Sequence, residues 1–167
     1  MNGTNIILIG MPGAGKSTVG VVLAKKLGCA FVDSDLVIQE TTGKLLHEVI
    51  SERGVEGFLD VEEQVNTSIV TDRTVIATGG SAVYGSRAME HFKEIGTIVY
   101  LMLSYDAIAD RLGDLNERGV TLRAGQELKE LYAERVPLYE KYADLTIDCE
   151  KLSIREIVEQ IAHKVKI

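Results

Sequence analysis

A glycine-rich loop near the start of the chain lies between two segments of opposite character. The apolar run from Ile6 to Ile9 is typical of a buried strand, and residues 16–27 repeat apolar side chains at helical spacing. The loop from Gly10 to Ser17 reads G-x-x-x-x-G-K-S. In such a strand–loop–helix unit, glycines let backbone N–H groups turn inward around phosphate oxygens. The sequence therefore predicts an α/β protein that binds a nucleotide at this loop.

We assign the predicted ATP site to this loop and the first residues of the helix. Lys16 supplies a positive charge for the β- and γ-phosphates, and the Ser17 hydroxyl is a ligand type that Mg²⁺ accepts. The predicted ATP-binding residues in the loop are Gly10, Met11, Pro12, Gly13, Ala14, Gly15, Lys16, Ser17 and Thr18. The alternative interpretation is a tight glycine turn that binds no ligand.

Composition narrows the class of protein. The chain has 167 residues, of which 46% are hydrophobic and 26% charged, as expected for one soluble domain spanning residues 1–167. The formal charge of −7 argues against nucleic acid or an anionic membrane as a partner. The apolar runs are strand-sized, and no segment reads as a signal peptide or membrane span. We therefore expect a cytoplasmic protein, and we expect it to be a monomer.

Strand-like and helix-like segments alternate along the chain. Strands are predicted at Asn5–Ile9, Ala30–Val32, Thr74–Ala77, Thr97–Leu103 and Leu145–Ile147. Helices are predicted over residues 16–27, 44–52, 55–70, 86–94, 105–112, 126–142 and 154–165. This alternation predicts a mostly parallel sheet that helices cover on both faces. Because ligands of such sheets bind at the carboxyl ends of the strands, the residues after each strand are the candidates for a site.

Two carboxylates, Asp33 and Asp35, follow the second predicted strand. In an extended segment, residues i and i+2 point the same way, so both side chains would face one site. One carboxylate would then hold Mg²⁺ through water, and the other would accept a proton from a substrate hydroxyl. The alternative is that these residues cap a helix that begins near Leu36.

Glycines and arginines follow the later strands. Gly79 and Gly80 come directly after the third strand and would allow a ligand to approach the backbone, although a plain turn is the alternative. The polar segment over about 111–123 carries three arginines and predicts a lid that closes over ATP, with an ordinary surface loop as the alternative. Arg135 precedes Pro137, which would kink a helix and direct the arginine into the site. A surface arginine is the alternative there.

Together these motifs resemble the shikimate kinase family over nearly the whole chain. The matching segments are Gly10 to Gly20, Asp33-x-Asp35, Thr42-Gly43, Gly57-Phe58-x-x-x-Glu62, Gly79-Gly80 and Arg135-x-Pro137-Leu138-Tyr139. The resemblance implies a three-layer αβα P-loop kinase fold with a five-stranded parallel sheet and a lid. It also implies Mg²⁺-dependent transfer of the γ-phosphoryl group from ATP to a hydroxyl of shikimate.

The resemblance also implies roles for individual residues. Lys16, Asp35 and Arg118 would be catalytic, with Arg118 as the arginine of the lid. Ser17 and Asp33 would hold the metal ion, Asp33 through water.

The acceptor site implied by the resemblance lies among the helices expected over about 34–62. Its residues would be Asp35, Gly79, Gly80 and Arg135. Arg111 would lie against the adenine of ATP.

Three positions depart from the family pattern. Leu59 stands where the family has an arginine after the phenylalanine of a G-x-x-F-R motif, and Ser81 replaces a third glycine. The lid sequence starting at Arg118 differs from the family's Arg-Pro-Leu-Leu, which leaves Arg123 as a second candidate for the lid arginine.

These departures leave two other functions open. Losing one of two arginines that bind a carboxylate would cost about 2–4 kcal/mol, which favours a kinase of a different hydroxylated acceptor. The other function is an ATP-binding module that transfers no phosphoryl group.

Overall fold

A parallel sheet lies at the centre of the part of the chain that the structure describes, residues 3–113 and 120–166. In this computed structural model, the sheet has five strands in the order β2-β3-β1-β4-β5, all of them parallel to their neighbours. The strands are β1 (Asn5–Ile9), β2 (Ala30–Asp33), β3 (Thr74–Ala77), β4 (Gly96–Met102) and β5 (Leu145–Asp148). Each predicted strand end lies within one residue of the observed end, and the predicted α/β fold is confirmed.

Helices connect the strands and cover the sheet. They are α1 (Lys16–Leu27), α2 (Ser34–Thr42), α3 (Leu46–Ser68), α4 (Ser86–Ile95), α5 (Tyr105–Leu112), α6 (Leu128–Tyr142) and α7 (Ile154–Lys164). A short 3₁₀ helix spans Ala82–Tyr84. Within α3, Gly54 has φ 72° and ψ 178°, which breaks the helix and explains why the sequence predicts two separate helices there. No helix in the described ranges is both long and apolar enough to cross a membrane.

The central strand β1 lies inside the core. Its side chains from Ile6 to Ile9 are fully buried on both faces, which requires helices above and below the sheet. Ile7 pairs with Ile76 of β3 on one side and with Ile98 of β4 on the other. This register brings the ends of β1, β2 and β3 to one edge of the sheet.

Gly96 tests the register of β1 against β4. It pairs with Asn5, and a Cβ at Gly96 would lie 2.3 Å from the Asn5 carbonyl oxygen and 2.7 Å from Ile7 Cδ1. Because backbone atoms cannot move aside easily, Gly96→Ala should lower the free energy of unfolding by about 3 kcal/mol. Urea denaturation measures this. As a control, Glu94→Ala, at an exposed position of helix α4, should change the free energy of unfolding by less than about 0.5 kcal/mol. Equal midpoints for the two variants would contradict the register.

Candidate active site

The glycine-rich loop curls around the start of helix α1. Gly13 and Gly15 have φ values of 80° and 93°, in the left-handed region that favours glycine. The Ala14 N–H donates to the Met11 carbonyl at 3.1 Å, closing the turn. Gly15 is the N-cap residue of α1 and has no side chain to cap the helix. The first N–H groups of α1 therefore remain available to an anion.

Lys16 lies across this loop. Its Nζ donates to the carbonyl oxygens of Gly10 and Met11, at 2.7 and 2.8 Å. Only 7% of the residue is exposed, and this burial lowers the pKa of Lys16 to about 8. The side chain therefore remains mostly protonated at neutral pH, and the loop holds a desolvated cation.

Ser17 and Asp33 meet at the other side of the loop. The Ser17 hydroxyl donates to Asp33 Oδ2 at 2.6 Å. A hydroxyl and a carboxylate are oxygen ligands of the type that Mg²⁺ takes alongside phosphate oxygens and water. The residues that the sequence predicts as metal ligands are therefore adjacent, and their chemistry fits this ion.

Asp33 also caps helix α2, so the capping interpretation of this segment is confirmed. Its Oδ1 accepts from the Asp35 N–H at 3.0 Å, and the helix begins at Ser34 rather than near Leu36. Asp35 therefore lies in the first turn of α2, and the argument that both carboxylates belong to one extended segment is wrong. The helix begins early because the Asp33 carboxylate satisfies an N–H group that would otherwise lack a partner.

A cavity of about 270 Å³ joins the loop to the other candidate residues. Its walls include the loop and α1 positions 12, 13 and 15–18, together with Asp35, Leu46, Phe58, Thr78, Gly79, Gly80, Ser81, Thr121 and Arg135. All the predicted acceptor-binding residues thus share one cavity with the predicted phosphate-binding lysine. Gly10 and Met11, at the start of the loop, are buried and do not line this cavity.

Gly79 lies beside two carboxylates, that of the partly buried Asp35 and that of the buried Glu62. A Cβ at this position would lie 2.8 Å from both Asp35 Oδ1 and Glu62 Oε1, so any larger residue would displace these carboxylates. Burial, with the nearby Asp33 charge, raises the pKa of Asp35 to about 6. Burial also raises the pKa of Glu62 to about 7. Desolvation therefore makes both carboxylates beside Gly79 unusually basic.

The sequence motifs predict no role for Glu62 beyond its place in the Gly57-Phe58-x-x-x-Glu62 match. Only 2% of it is exposed, and it lies on α3 beside the buried apolar residues Phe58, Val61 and Val65. The sequence signal for Glu62 was a carboxylate on the apolar side of a helix. Charged residues are rarely fully buried unless they are paired or belong to a functional site.

Arg135 is buried, so the surface interpretation of this arginine is wrong. Its exposed fraction is 1%, and its Nη2 donates to the Thr121 carbonyl at 3.1 Å. Its Nε donates to the Tyr84 hydroxyl at 3.4 Å, and the guanidinium lies over the Tyr84 ring. Nη1 lies 3.0 Å from where a Gly80 Cβ would stand and makes no hydrogen bond to the described residues. That atom is left for a ligand anion.

Tyr139 fixes the second glycine of the pair. Its hydroxyl donates to the Gly80 carbonyl at 2.6 Å, and its ring stacks on Tyr100 with centroids 5.1 Å apart. The sequence placed Tyr139 in the motif with Arg135 but did not indicate this contact, because the contact joins helix α6 to the turn after β3.

The arginines of the predicted lid differ in position. Arg111 lies in the last turn of helix α5, and its Nη1 donates to the Gly13 carbonyl of the phosphate loop at 3.2 Å. Arg123 forms ion pairs with Glu56 and Glu134, at 3.0 and 3.1 Å. Arg118 lies outside the described residues.

Comparison with known proteins identifies the family. The family model described as shikimate kinase matches residues 12–166. The chain belongs to the shikimate kinase family.

Similar proteins match along nearly their whole length. A shikimate kinase of Thermodesulfovibrio yellowstonii is 42% identical over 160 residues, covering 94% of this chain and 92% of that protein. The structure of an Acinetobacter baumannii shikimate kinase in complex with shikimate has a TM-score of 0.86 at 33% identity, covering 98% of this chain and 96% of its own. A structure of the Aquifex aeolicus shikimate kinase has a TM-score of 0.81 at 29% identity, with 96% and 95% covered.

Glu62 should give the protein a pH-dependent stability that its amide variant lacks. The folded pKa of Glu62 is raised from 4.5 to about 7, so its favourable contribution is present below about pH 4.5 and is lost as pH rises through about 7. Between about pH 5 and pH 8, the wild type should lose on the order of 2 kcal/mol of unfolding free energy relative to Glu62→Gln. Urea denaturation at several pH values measures the difference.

A neutral exposed residue on the same helix provides the control for this comparison. Gln64→Ala should follow the wild-type pH dependence, because it removes no titrating group. A Glu62→Gln curve parallel to the wild type would show that the Glu62 carboxyl is not perturbed.

Proposed function

We propose that this protein is an ATP-dependent kinase that transfers the γ-phosphoryl group to the 3-hydroxyl of shikimate. One observation carries the proposal: Lys16, Asp35 and Arg135 line the same cavity of about 270 Å³. The Lys16 cation would bind phosphate, the Asp35 carboxylate would accept a proton from a hydroxyl, and the Arg135 cation would bind a carboxylate. A kinase of a small hydroxylated acid needs these three groups at one site.

Arg135 is proposed to orient the acceptor. Its Nη1 would bind the shikimate carboxylate, while Thr121 and Tyr84 hold the rest of the guanidinium in place. Phe58 and Leu46 line the same cavity and would contact the apolar side of the ring. A carboxylate held at one end of the cavity directs a hydroxyl at the other end towards Asp35.

Asp35 is proposed to accept the proton of that hydroxyl. With a pKa of about 6, it is mostly ionised at neutral pH and yet more basic than an ordinary carboxylate. As the hydroxyl oxygen bonds to the γ-phosphorus, the bond from phosphorus to the bridging oxygen breaks and ADP leaves. Lys16 would stabilise the negative charge spread over the oxygens of the transferring group.

Ser17 and Asp33 are proposed to hold Mg²⁺, Asp33 through water. When bound, this ion would neutralise charge on the β- and γ-phosphates. The support is the contact of 2.6 Å between the two side chains at the edge of the phosphate loop.

We assign the adenine contact to Arg111 and the catalytic arginine of the lid to Arg118. The contact of Arg111 with Gly13 supports the first assignment, because it places this side chain beside the phosphate loop. Both ion pairs of Arg123 turn it towards α3 and α6, which favours Arg118 over Arg123 for the second.

The position of Leu59 is compatible with shikimate as the acceptor. Leu59 is half-buried and packs on the second apolar cluster, which comprises Ile38, Val49, Phe58, Val61 and Val65. The substitution of the family's arginine therefore removes one positive charge without exposing an apolar side chain to the carboxylate. Shikimate would bind through Arg135 with one fewer cation.

We also propose that the protein acts as a monomer in the cytoplasm. The support for a monomer is that one chain supplies both the residues proposed to bind ATP and those proposed to bind the acceptor molecule. The cytoplasm supplies the ATP that the reaction consumes.

Lys16→Met tests the phosphoryl-transfer proposal. Met has a similar length but no charge, so shikimate-dependent ADP release should fall by at least about 100-fold. Lys25→Met, at an exposed position of the same helix, should retain wild-type turnover. Circular dichroism would check that both variants fold. Retained turnover in a folded Lys16→Met protein would contradict the assignment.

The pH dependence of kcat tests Asp35 as the base. Because the carboxylate must be ionised to accept a proton, kcat should fall about tenfold per pH unit below about pH 6. Asp35→Asn should be inactive across the range, since an amide cannot accept the proton. A wild-type profile that stays flat down to about pH 5 would rule out a base with this pKa.

A further inference from the structure

Ser81 and Glu62 form a buried pair at the acceptor side of the cavity. The Ser81 hydroxyl donates to Glu62 Oε2 at 2.6 Å. Ser81 lines the cavity and is 5% exposed, whereas Glu62 lies behind it and is 2% exposed. A bound acceptor would therefore meet the serine and not the carboxylate.

The surroundings of Glu62 leave Ser81 as its one hydrogen-bond partner within residues 3–113 and 120–166. Glu62 Oε1 is buried without a partner there. The charged groups that act on Glu62 through space are Asp35, Arg135 and Lys16. A buried carboxylate that has one hydrogen-bond donor holds that donor strongly, because no water replaces it.

The direction of this hydrogen bond decides what Ser81 can recognise. A hydroxyl carries one proton and two lone pairs. When Glu62 is ionised, the proton of Ser81 points to it, and the lone pairs of the serine oxygen remain for the cavity. Donation to a carboxylate also makes the serine oxygen a better acceptor, because linked hydrogen bonds polarise one another.

We propose that Ser81 Oγ accepts a hydrogen bond from one of the two shikimate hydroxyls that are not phosphorylated, and that Glu62 is the positioning residue that keeps Ser81 in this orientation. The inference rests on the proposed function and deepens it. It makes Ser81 a specificity-determining residue that selects an acceptor with a hydroxyl donor at that ring position. An analogue without that hydroxyl would leave the Ser81 oxygen without its partner from the acceptor.

The test compares three acceptors: shikimate and two deoxy analogues that each lack one of the hydroxyls not phosphorylated. For Ser81→Ala, kcat/KM for shikimate should fall about tenfold, mainly through KM, with KM for ATP unchanged. Ser81→Ala should lower kcat/KM about tenfold for the analogue that keeps the hydroxyl recognised by Ser81. For the analogue that lacks this hydroxyl, Ser81→Ala should leave kcat/KM unchanged.

Two variants of Glu62 show whether this residue orients the Ser81 hydroxyl or only fills space behind it. Glu62→Gln keeps an oxygen that accepts from Ser81 and should retain the selectivity between the two analogues. Glu62→Leu removes that acceptor, so the serine can rotate and the selectivity should shrink to that of Ser81→Ala. Ser86→Ala, at an exposed position of α4, should behave as wild type with all three acceptors.

Each outcome decides between the proposals. Equal losses for Ser81→Ala with all three acceptors, or no loss with any, would overturn this inference while leaving the proposed function intact. A wild type that phosphorylates no shikimate would contradict both. Ser81→Gly serves as the second variant if Ser81→Ala does not fold, since it also lacks the hydroxyl and should give the same pattern.

Discussion

The buried central strand β1 is the constraint on which the rest of the structure depends. Its side chains are shielded on both faces, and it pairs on one side with β3 and on the other with β4. Because all the strands are parallel, the phosphate loop after β1, Asp33 at the end of β2 and the glycines after β3 meet at one edge. A change of register would move the phosphate loop relative to the acceptor residues, so core packing and chemistry are linked through this strand.

The active site concentrates desolvated charge around the glycines that follow β1 and β3. Lys16, Asp35 and Glu62 all have pKa values that burial shifts towards the neutral form. Each pKa shift reflects a desolvation cost that lowers the free energy of unfolding. Desolvation also strengthens the interaction of each group with charges and hydrogen-bond partners nearby. Gly79 allows the two carboxylates to approach without a steric clash. The stability that is given up here leaves two carboxyl groups, Asp35 and Glu62, with pKa values of about 6 and about 7.

Patterns along the sequence correctly predicted the features that depend on residues close together in the chain, such as the positions of the strands. The strands appear within one residue of their predicted ends, because a continuous apolar run is what a strand buried on both faces requires. The extended arrangement of Asp33 and Asp35 was wrong, because the Asp33 carboxylate caps a helix that starts at once. Glu62 and Tyr84 received no role from the sequence. Their partners, Ser81 and Arg135, lie on other elements.

The sequence by itself determined the phosphate loop, the alternation of strands and helices, and the residue types that follow each strand. Those features depend on glycine conformations, side-chain periodicity and short spacings, which the chain carries locally. Only the tertiary structure decided that Arg135 is buried and lines the cavity, and that Ser81 directs its proton to Glu62. The reason is physical: burial and hydrogen-bond direction depend on groups far apart in sequence, and these groups acquire fixed positions only when the sheet and its helices pack together.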